Sequence, residues 1–182
     1  MSEFDLNEVV TEGINEGLVQ SFQLFRPYFK YIFLILLIQL LFLILEIRKK
    51  RKIRSQIRDL ANNTTEITPE EFFKIRNKSF GGRGNPLYSN NYNFTGVYIL
   101  HNKTKDLYYV GQGKKVFNRI NSHLRGSGNG DVYADYKYND SFTIRTIALE
   151  SSGFKSIDEL ERHAIETYDA YKKGYNRNRG NR

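Results

Sequence analysis

The sequence predicts an α+β domain, a small antiparallel three-stranded sheet flanked by helices, preceded by a single transmembrane helix. Three observations predict it. An apolar run fills Tyr31 to Leu45. Two segments rich in Val, Ile and Tyr, Thr95 to Leu100 and Leu107 to Gly111, enclose a polar connection, Asn102 to Asp106, as a β-hairpin requires. A third alternating segment, Phe142 to Leu149, lies between helical patterns.

The chain has 182 residues, enough for one modest domain plus accessories. Its formal net charge is +8 and its pI about 9.5, a balance that favours polyanionic partners, either nucleic acid or anionic lipid. The charge is uneven. Glu3, Asp5, Glu8, Glu12 and Glu16 precede the apolar run, and Arg48, Lys49, Lys50, Arg51, Lys52, Arg54 and Arg58 follow it. From Phe94 onward, fifteen Lys or Arg face ten Asp or Glu. There is no cysteine, which excludes a disulfide framework, a thiolate metal site and a thiol nucleophile.

Residues 4–25 carry Leu6, Val10, Ile14, Leu18, Phe22 and Phe25 at mostly four-residue steps, an amphipathic helical pattern weakened by Gly13 and Gly17. Residues 1–27 are expected as an N-terminal, extracytoplasmic segment. The run Tyr31 to Leu45 is apolar on every helical face except at Gln39, as a helix in lipid is. Extended to 28–47 it reaches the ~20 residues a bilayer needs. Lys30 and Glu46 then lie at the interfaces, and Tyr28, Phe29 and Tyr31 suit the headgroup belt. A secretory signal would place its basic residues before the run, not after it. The basic block sets the orientation: N-terminus outside, the rest cytoplasmic, single-pass in the cell (inner) membrane. The same block can hold anionic headgroups, at ~1 kcal/mol per residue near the surface. Gln39 and the N-terminal segment are candidate contacts to a membrane protein partner.

Residues 48–93 are expected as a basic juxtamembrane region and linker. Within them Thr68-Pro69-Glu70-Glu71 reads as an N-cap, a first-turn proline and a capping-box acid, while Gly81 to Pro86 and Asn90-Asn91 mark a loop. The domain is expected over 94–182. After the hairpin, Val116 to Arg125 reads as a helix, Gly126 to Gly130 as a turn, 132–139 as a short helix and Phe142 to Leu149 as a strand. Ser156-Ile157-Asp158-Glu159 opens a helix expected to reach about Tyr171. The order is β-β-α-(α)-β-α.

On that last helix Ile157, Leu160, Ala164, Tyr168 and Tyr171 form an apolar stripe. Glu161 falls inside it, and a carboxylate there is costly unless a cation or donor meets it. A bound Mg²⁺ or Mn²⁺ would satisfy it with oxygen ligands and retained waters; a salt bridge with Arg119 is the alternative. Glu159 is explained by capping. Arg119 and His123 stand four apart and share a helix face. Arg119 presents a planar fork suited to phosphate, and His123 is able to donate to phosphate or pass a proton. Both also fit ordinary roles, a solvated cation and a charge near a helix C-terminus.

Gly96-Val97-Tyr98, Tyr109-Val110-Gly111, Arg119, His123, Glu161 and Asn176 stand in an order and at intervals that together resemble the GIY-YIG nuclease family. The resemblance covers about residues 94–180, with Val in place of Ile in both namesake motifs. It implies metal-assisted phosphodiester hydrolysis with Mg²⁺ (or Mn²⁺) as cofactor. By the same resemblance Tyr109 positions or deprotonates the attacking water, assisted by Tyr98 or His123. Arg119 neutralises charge on the phosphate, Glu161 holds the metal, and Asn176 fixes the site's geometry. Lys114, Lys115, Arg125, Arg177 and Arg179 are candidate DNA contacts, and Arg182 extends the basic tail. Phosphate contacts of that kind give affinity but no sequence information. Six residues follow Asn176, so no C-terminal target-recognition domain is expected. The expectation is a membrane-anchored DNA endonuclease of low sequence specificity, cutting foreign DNA, phage or plasmid, at the membrane. The alternatives are a catalytically inactive membrane-tethered nucleic-acid-binding module, and a lipid or assembly scaffold.

Overall fold

The computed structural model describes residues 26–78 and 93–180. The amphipathic pattern in 4–25, the loop in 81–91 and Arg182 lie outside them. The chain divides into two compact units, Met1–Lys50 and Arg51–Arg182. In the first, a short 3-10 turn, Arg26–Tyr28, leads into helix α1, Phe29–Asn62. Every apolar side chain from Tyr31 to Leu45 is exposed. None of the most apolar window is buried. By length and composition, α1 is able to cross a membrane.

The second unit holds the last turns of α1, then α2 (Pro69–Lys78), β1 (Gly96–Asn102), β2 (Leu107–Gly113), α3 (Val116–Leu124), α4 (Gly130–Lys137), β3 (Phe142–Ala148) and α5 (Ile157–Thr167). The three strands form one antiparallel sheet in the order β2-β1-β3. Central β1 is buried on both faces. Val97 and Ile99 pack against Ile57, Ala61, Leu160 and Ala164 of α1 and α5. Tyr98 and Leu100 pack against Phe72, Val116, Ile120 and Val132 of α2, α3 and α4. The fold is thus a helix–sheet–helix sandwich of the α+β class.

Both sheet edges are covered, which blocks pairing with other chains. At β3, Ile67 and Ile144 exchange backbone bonds of 3.1 and 2.8 Å. At β2, the segment around Asn176 does the covering.

Two sequence boundaries change. Residues 48–93, expected as juxtamembrane region and linker, contain Ile57, Ala61 and Phe72, each fully buried in the sheet's two cores. The helix at 69–78 starts as its capping box dictates. Thr68 N–H donates to Glu71 Oε2 (2.8 Å) and Glu71 N–H to Thr68 Oγ1 (3.2 Å). The last helix stops at Thr167, short of the expected Tyr171, because Asp169 turns into left-handed backbone at φ 50°. Tyr171 therefore leaves the apolar stripe and is 40% exposed. The other corrections are small: α4 begins at Gly130, two residues earlier than expected, capped by Asn129.

Candidate active site

The register of the hairpin sets the first two side chains. Tyr98 pairs with Gly111 and Leu100 with Tyr109, so Tyr98 and Tyr109 are diagonal neighbours on one face, ring centroids 6.1 Å apart. A Cβ on Gly111 would overlap the Tyr98 hydroxyl and ring. The glycine is therefore the space that the Tyr98 ring fills.

Helix α3 brings His123 onto this pair, its ring 5.5 Å from Tyr98 and 4.6 Å from Tyr109. His123 is 1% exposed, and both ring nitrogens are bonded. The Asn129 backbone N–H donates to Nδ1 (2.8 Å), so the proton of a neutral ring sits on Nε2, which lies 2.8 Å from the Tyr98 hydroxyl. Nε2–H donates to Tyr98, whose hydroxyl stands close enough to Tyr109 and Arg119 for each to act on its ionisation. Burial first, then the Arg119 charge, lowers the His123 pKa to about 4 and keeps the ring neutral at physiological pH. With both nitrogens engaged, His123 is not available as a metal ligand.

Burial drives Tyr98 ionisation far above its ordinary range, Tyr109 adds to that, and Arg119 opposes both. Tyr109 is also raised by burial, but the Tyr98 hydroxyl and the Arg119 charge pull it back. Tyr98 is wholly buried while Tyr109 is only partly so. Tyr109 is thus the hydroxyl of the pair placed to meet solvent.

Asn176 works on the backbone. Its Oδ1 accepts from Val110 N–H (2.9 Å) and its Nδ2 donates to Val110 C=O (2.7 Å). Beside it, Tyr175 N–H donates to Tyr108 C=O (2.9 Å). One side-chain amide so imitates a paired strand along the edge of β2 and fixes the strand carrying Tyr109 and Gly111.

One polar pocket of about 530 Å³ is lined by Tyr98, Tyr109, Arg119, His123, Glu161 and Asn176 together. These residues come from β1, β2, α3, α5 and the segment after α5, so elements of both layers meet at this end of the sheet. Glu161, expected to face the core, instead faces this pocket and is half-buried. The sequence geometry put it on the right side of α5, next to the buried Leu160, Ala164 and Ile165. Glu159 caps α5: its N–H donates to Ser156 Oγ (3.1 Å) and its carboxylate accepts from Lys155 N–H (3.2 Å).

Of the candidate DNA contacts, Arg177 lines the pocket and pairs with Asp131 at 3.3 Å. Lys114 and Lys115 are exposed just before α3. Arg125 lies away from the pocket, over the Phe73 ring. Arg179 lines a neighbouring cleft. Gln112, Ser127, Gly128, Asn129 and Asn178 complete the pocket and were not singled out by sequence. Asn129 had a readable signal, an Asn directly before a helix start. Its Oδ1 accepts from Asp131 N–H (3.0 Å) and Val132 N–H (3.1 Å).

No group of three or more His, Cys, Asp or Glu gathers among the described residues. Glu161 is the pocket's one acid among them. That donor set does not suit a closed metal site. It does fit a hard divalent ion held by one carboxylate, with waters and substrate phosphate oxygens completing the shell.

An α+β sandwich that gathers two tyrosines, an arginine, a histidine, a glutamate and an asparagine at one end of its sheet has the makings of a nuclease-type catalytic domain. Residues 94–176 match the family model of the GIY-YIG catalytic domain. No curated protein and no solved structure matches the chain.

Proposed function

We propose that the protein is a membrane-anchored, divalent-metal-dependent DNA endonuclease that hydrolyses phosphodiester bonds with low sequence specificity. The observation that carries this reading is the convergence of Tyr98, Tyr109, Arg119, His123, Glu161 and Asn176 on one pocket. Arg119, exposed at the pocket's rim, binds the scissile phosphate and offsets the charge that grows on it. Tyr109 orients the attacking water and takes its proton, a role that the Arg119 charge favours by stabilising the phenolate. Tyr98 and His123 orient Tyr109. Asn176 holds the strand on which Tyr109 stands. Glu161 would hold Mg²⁺ or Mn²⁺, which when bound supplies positive charge for the leaving oxygen.

Cutting requires that all these groups be in place. The full chain in detergent micelles should nick supercoiled plasmid with Mg²⁺ or Mn²⁺, and lose that activity in EDTA, in Glu161→Gln and in Arg119→Ala. Plasmid bound but uncut with every divalent ion tried would sink the enzyme reading and leave the inactive binding module.

The exposed apolar length of α1 supports an anchor, and the basic block after it supports a cytoplasmic domain. Protease access from each side of sealed vesicles tests that orientation. An anchor lets position stand in for sequence recognition, so foreign DNA crossing the membrane is the substrate we favour. A chain that protects cells from phage equally well without residues 1–50 would overturn that role for the anchor.

A further inference from the structure

We propose that a second cleft, beside the active site, binds a phosphate of the same nucleic-acid strand; this rests on the nuclease reading. The cleft has a volume of about 320 Å³ and gathers cations from separate parts of the second unit: Arg54 on α1, Arg162 on α5, Lys172 after α5, and Arg179 in the C-terminal segment. Two acids accompany them. Glu166 is engaged by Arg54 at 3.8 Å, and Asp169 stands alone against the rest. Arg162, Lys172 and Arg179 have no ion-pair partner among the described residues. Lys103, Lys105 and Arg145, on the sheet and its hairpin, are all paired. Like charges converging without partners repel, and the arrangement is relieved by an anion seated between them.

The form of that anion follows from the cleft's surroundings. Arg179 lies over the Tyr171 ring, guanidinium carbon 5.5 Å from the centroid, so its fork is held in one plane and can meet phosphate oxygens two at a time. Residues adjacent in sequence line the cleft and the catalytic pocket at two places. On α5, Glu161 lines the pocket and the next residue, Arg162, lines the cleft. In the C-terminal segment, Arg177 and Asn178 line the pocket and Arg179 the cleft. On this proposal a polyanion lying in the pocket runs on along these two segments into the cleft. A repeating phosphodiester matches that adjacency, whereas a single headgroup would fill the cleft alone. The cations read charge and not bases, in keeping with low sequence specificity.

The test is DNA binding by the full chain in phosphatidylcholine nanodiscs, without divalent ions, so that no cutting is needed. The probes are fluorescent 20-base-pair and 20-nucleotide DNA, titrated from 50 to 300 mM KCl. Arg162→Gln/Lys172→Gln/Arg179→Gln should bind about tenfold or more weakly, and its duplex salt slope should fall by about 2 to 3, as expected when three phosphate contacts go. Lys74→Gln, an exposed lysine on α2, should bind like the parent. Unchanged melting temperature in the triple variant shows that its fold is kept. A triple variant that matches the parent in affinity and slope overturns the assignment. If that variant also loses a parental thermal shift with dioctanoyl phosphatidylglycerol, the cleft reads lipid instead. A parent that binds neither DNA overturns the nuclease reading with it.

Discussion

The Tyr98 hydroxyl and His123 Nε2 lie 2.8 Å apart, and the direction of that bond is set on the far side of the ring. Asn129 N–H occupies Nδ1, so Nε2 is the donor. Gly128 leaves room for this contact, since a Cβ there would come within 2.6 Å of Nδ1. Asn129 N–H holds one side of the His123 ring, the other side donates to Tyr98, and the Tyr98 hydroxyl lowers the cost of ionising Tyr109 beside it. His123 on this account positions Tyr109 rather than exchanging protons itself. Glutamine retains a donor near Nε2, whereas asparagine retains only an acceptor near Nδ1. His123→Gln should keep nicking within about tenfold of the parent, and His123→Asn should lose on the order of 100-fold in kcat with little change in KM, a loss typical of misplaced proton chemistry. Equal losses in the two variants, at equal melting temperature, would remove the directional argument.

Asn176 commits its Oδ1 and one Nδ2–H to the Val110 backbone, so its first task is to hold β2. Asn176→Leu should therefore lower stability by about 2 kcal/mol, from two lost bonds to backbone groups at about 1 kcal/mol each. It should lower kcat through the displaced strand and leave DNA affinity nearly unchanged. Thermal melts and binding measured side by side check this. Lost affinity with intact stability would instead place Asn176 against the substrate.

The hairpin, the third strand and both capping boxes were legible because each rests on local chemistry: alternation, a polar turn, or a Ser or Thr three residues before an acid. Helical phase put Glu161 on the inner side of α5, but that this side opens on a pocket and not on the core depends on the sheet and α3 across from it. What the sequence hid depends on distant contacts. Ile57 and Ala61 sit in a run dominated by charge, and only the sheet's far face shows why they are apolar. The end of α5 turns on one residue, Asp169, in left-handed backbone, which no periodicity announces. Asn129 acts on His123 through its main chain, and a backbone donor leaves no mark in residue type.

Acid should weaken the fold through His123. Its folded pKa of about 4 lies below the usual value near 6.5, so between those pH values the unfolded chain binds the proton and the folded one does not. Stability is thus full above about pH 6.5 and falls as pH drops toward 4, by on the order of 3 kcal/mol in all. Glu66 and Asp135, both held below their usual ranges, act in the same direction only at lower pH. The melting temperature of the parent should therefore decline from pH 7 to pH 5, and that of His123→Gln should stay nearly level. Parallel declines would show that another group controls this window.

The domain needs more chain than its catalytic motifs span. A fragment of residues 94–182 lacks Ile57, Ala61 and Phe72, all fully buried, and uncovers both cores of the sheet. It also strands Arg145, which donates to Ala61 C=O (2.8 Å) and Thr64 C=O (3.3 Å) and pairs with Glu66 at 3.1 Å. Loss of a buried Phe alone costs about 3 to 5 kcal/mol, comparable with the whole stability of a small domain. Fragment 94–182 should therefore lack a cooperative thermal transition, whereas 51–182, a compact unit, should show one. Within the longer fragment, Arg145→Met should lower the melting temperature and speed amide exchange across residues 62–68, because the carbonyls ending α1 lose their donor. A cooperative transition in 94–182 would show that α1 and α2 lie against the sheet without supporting it.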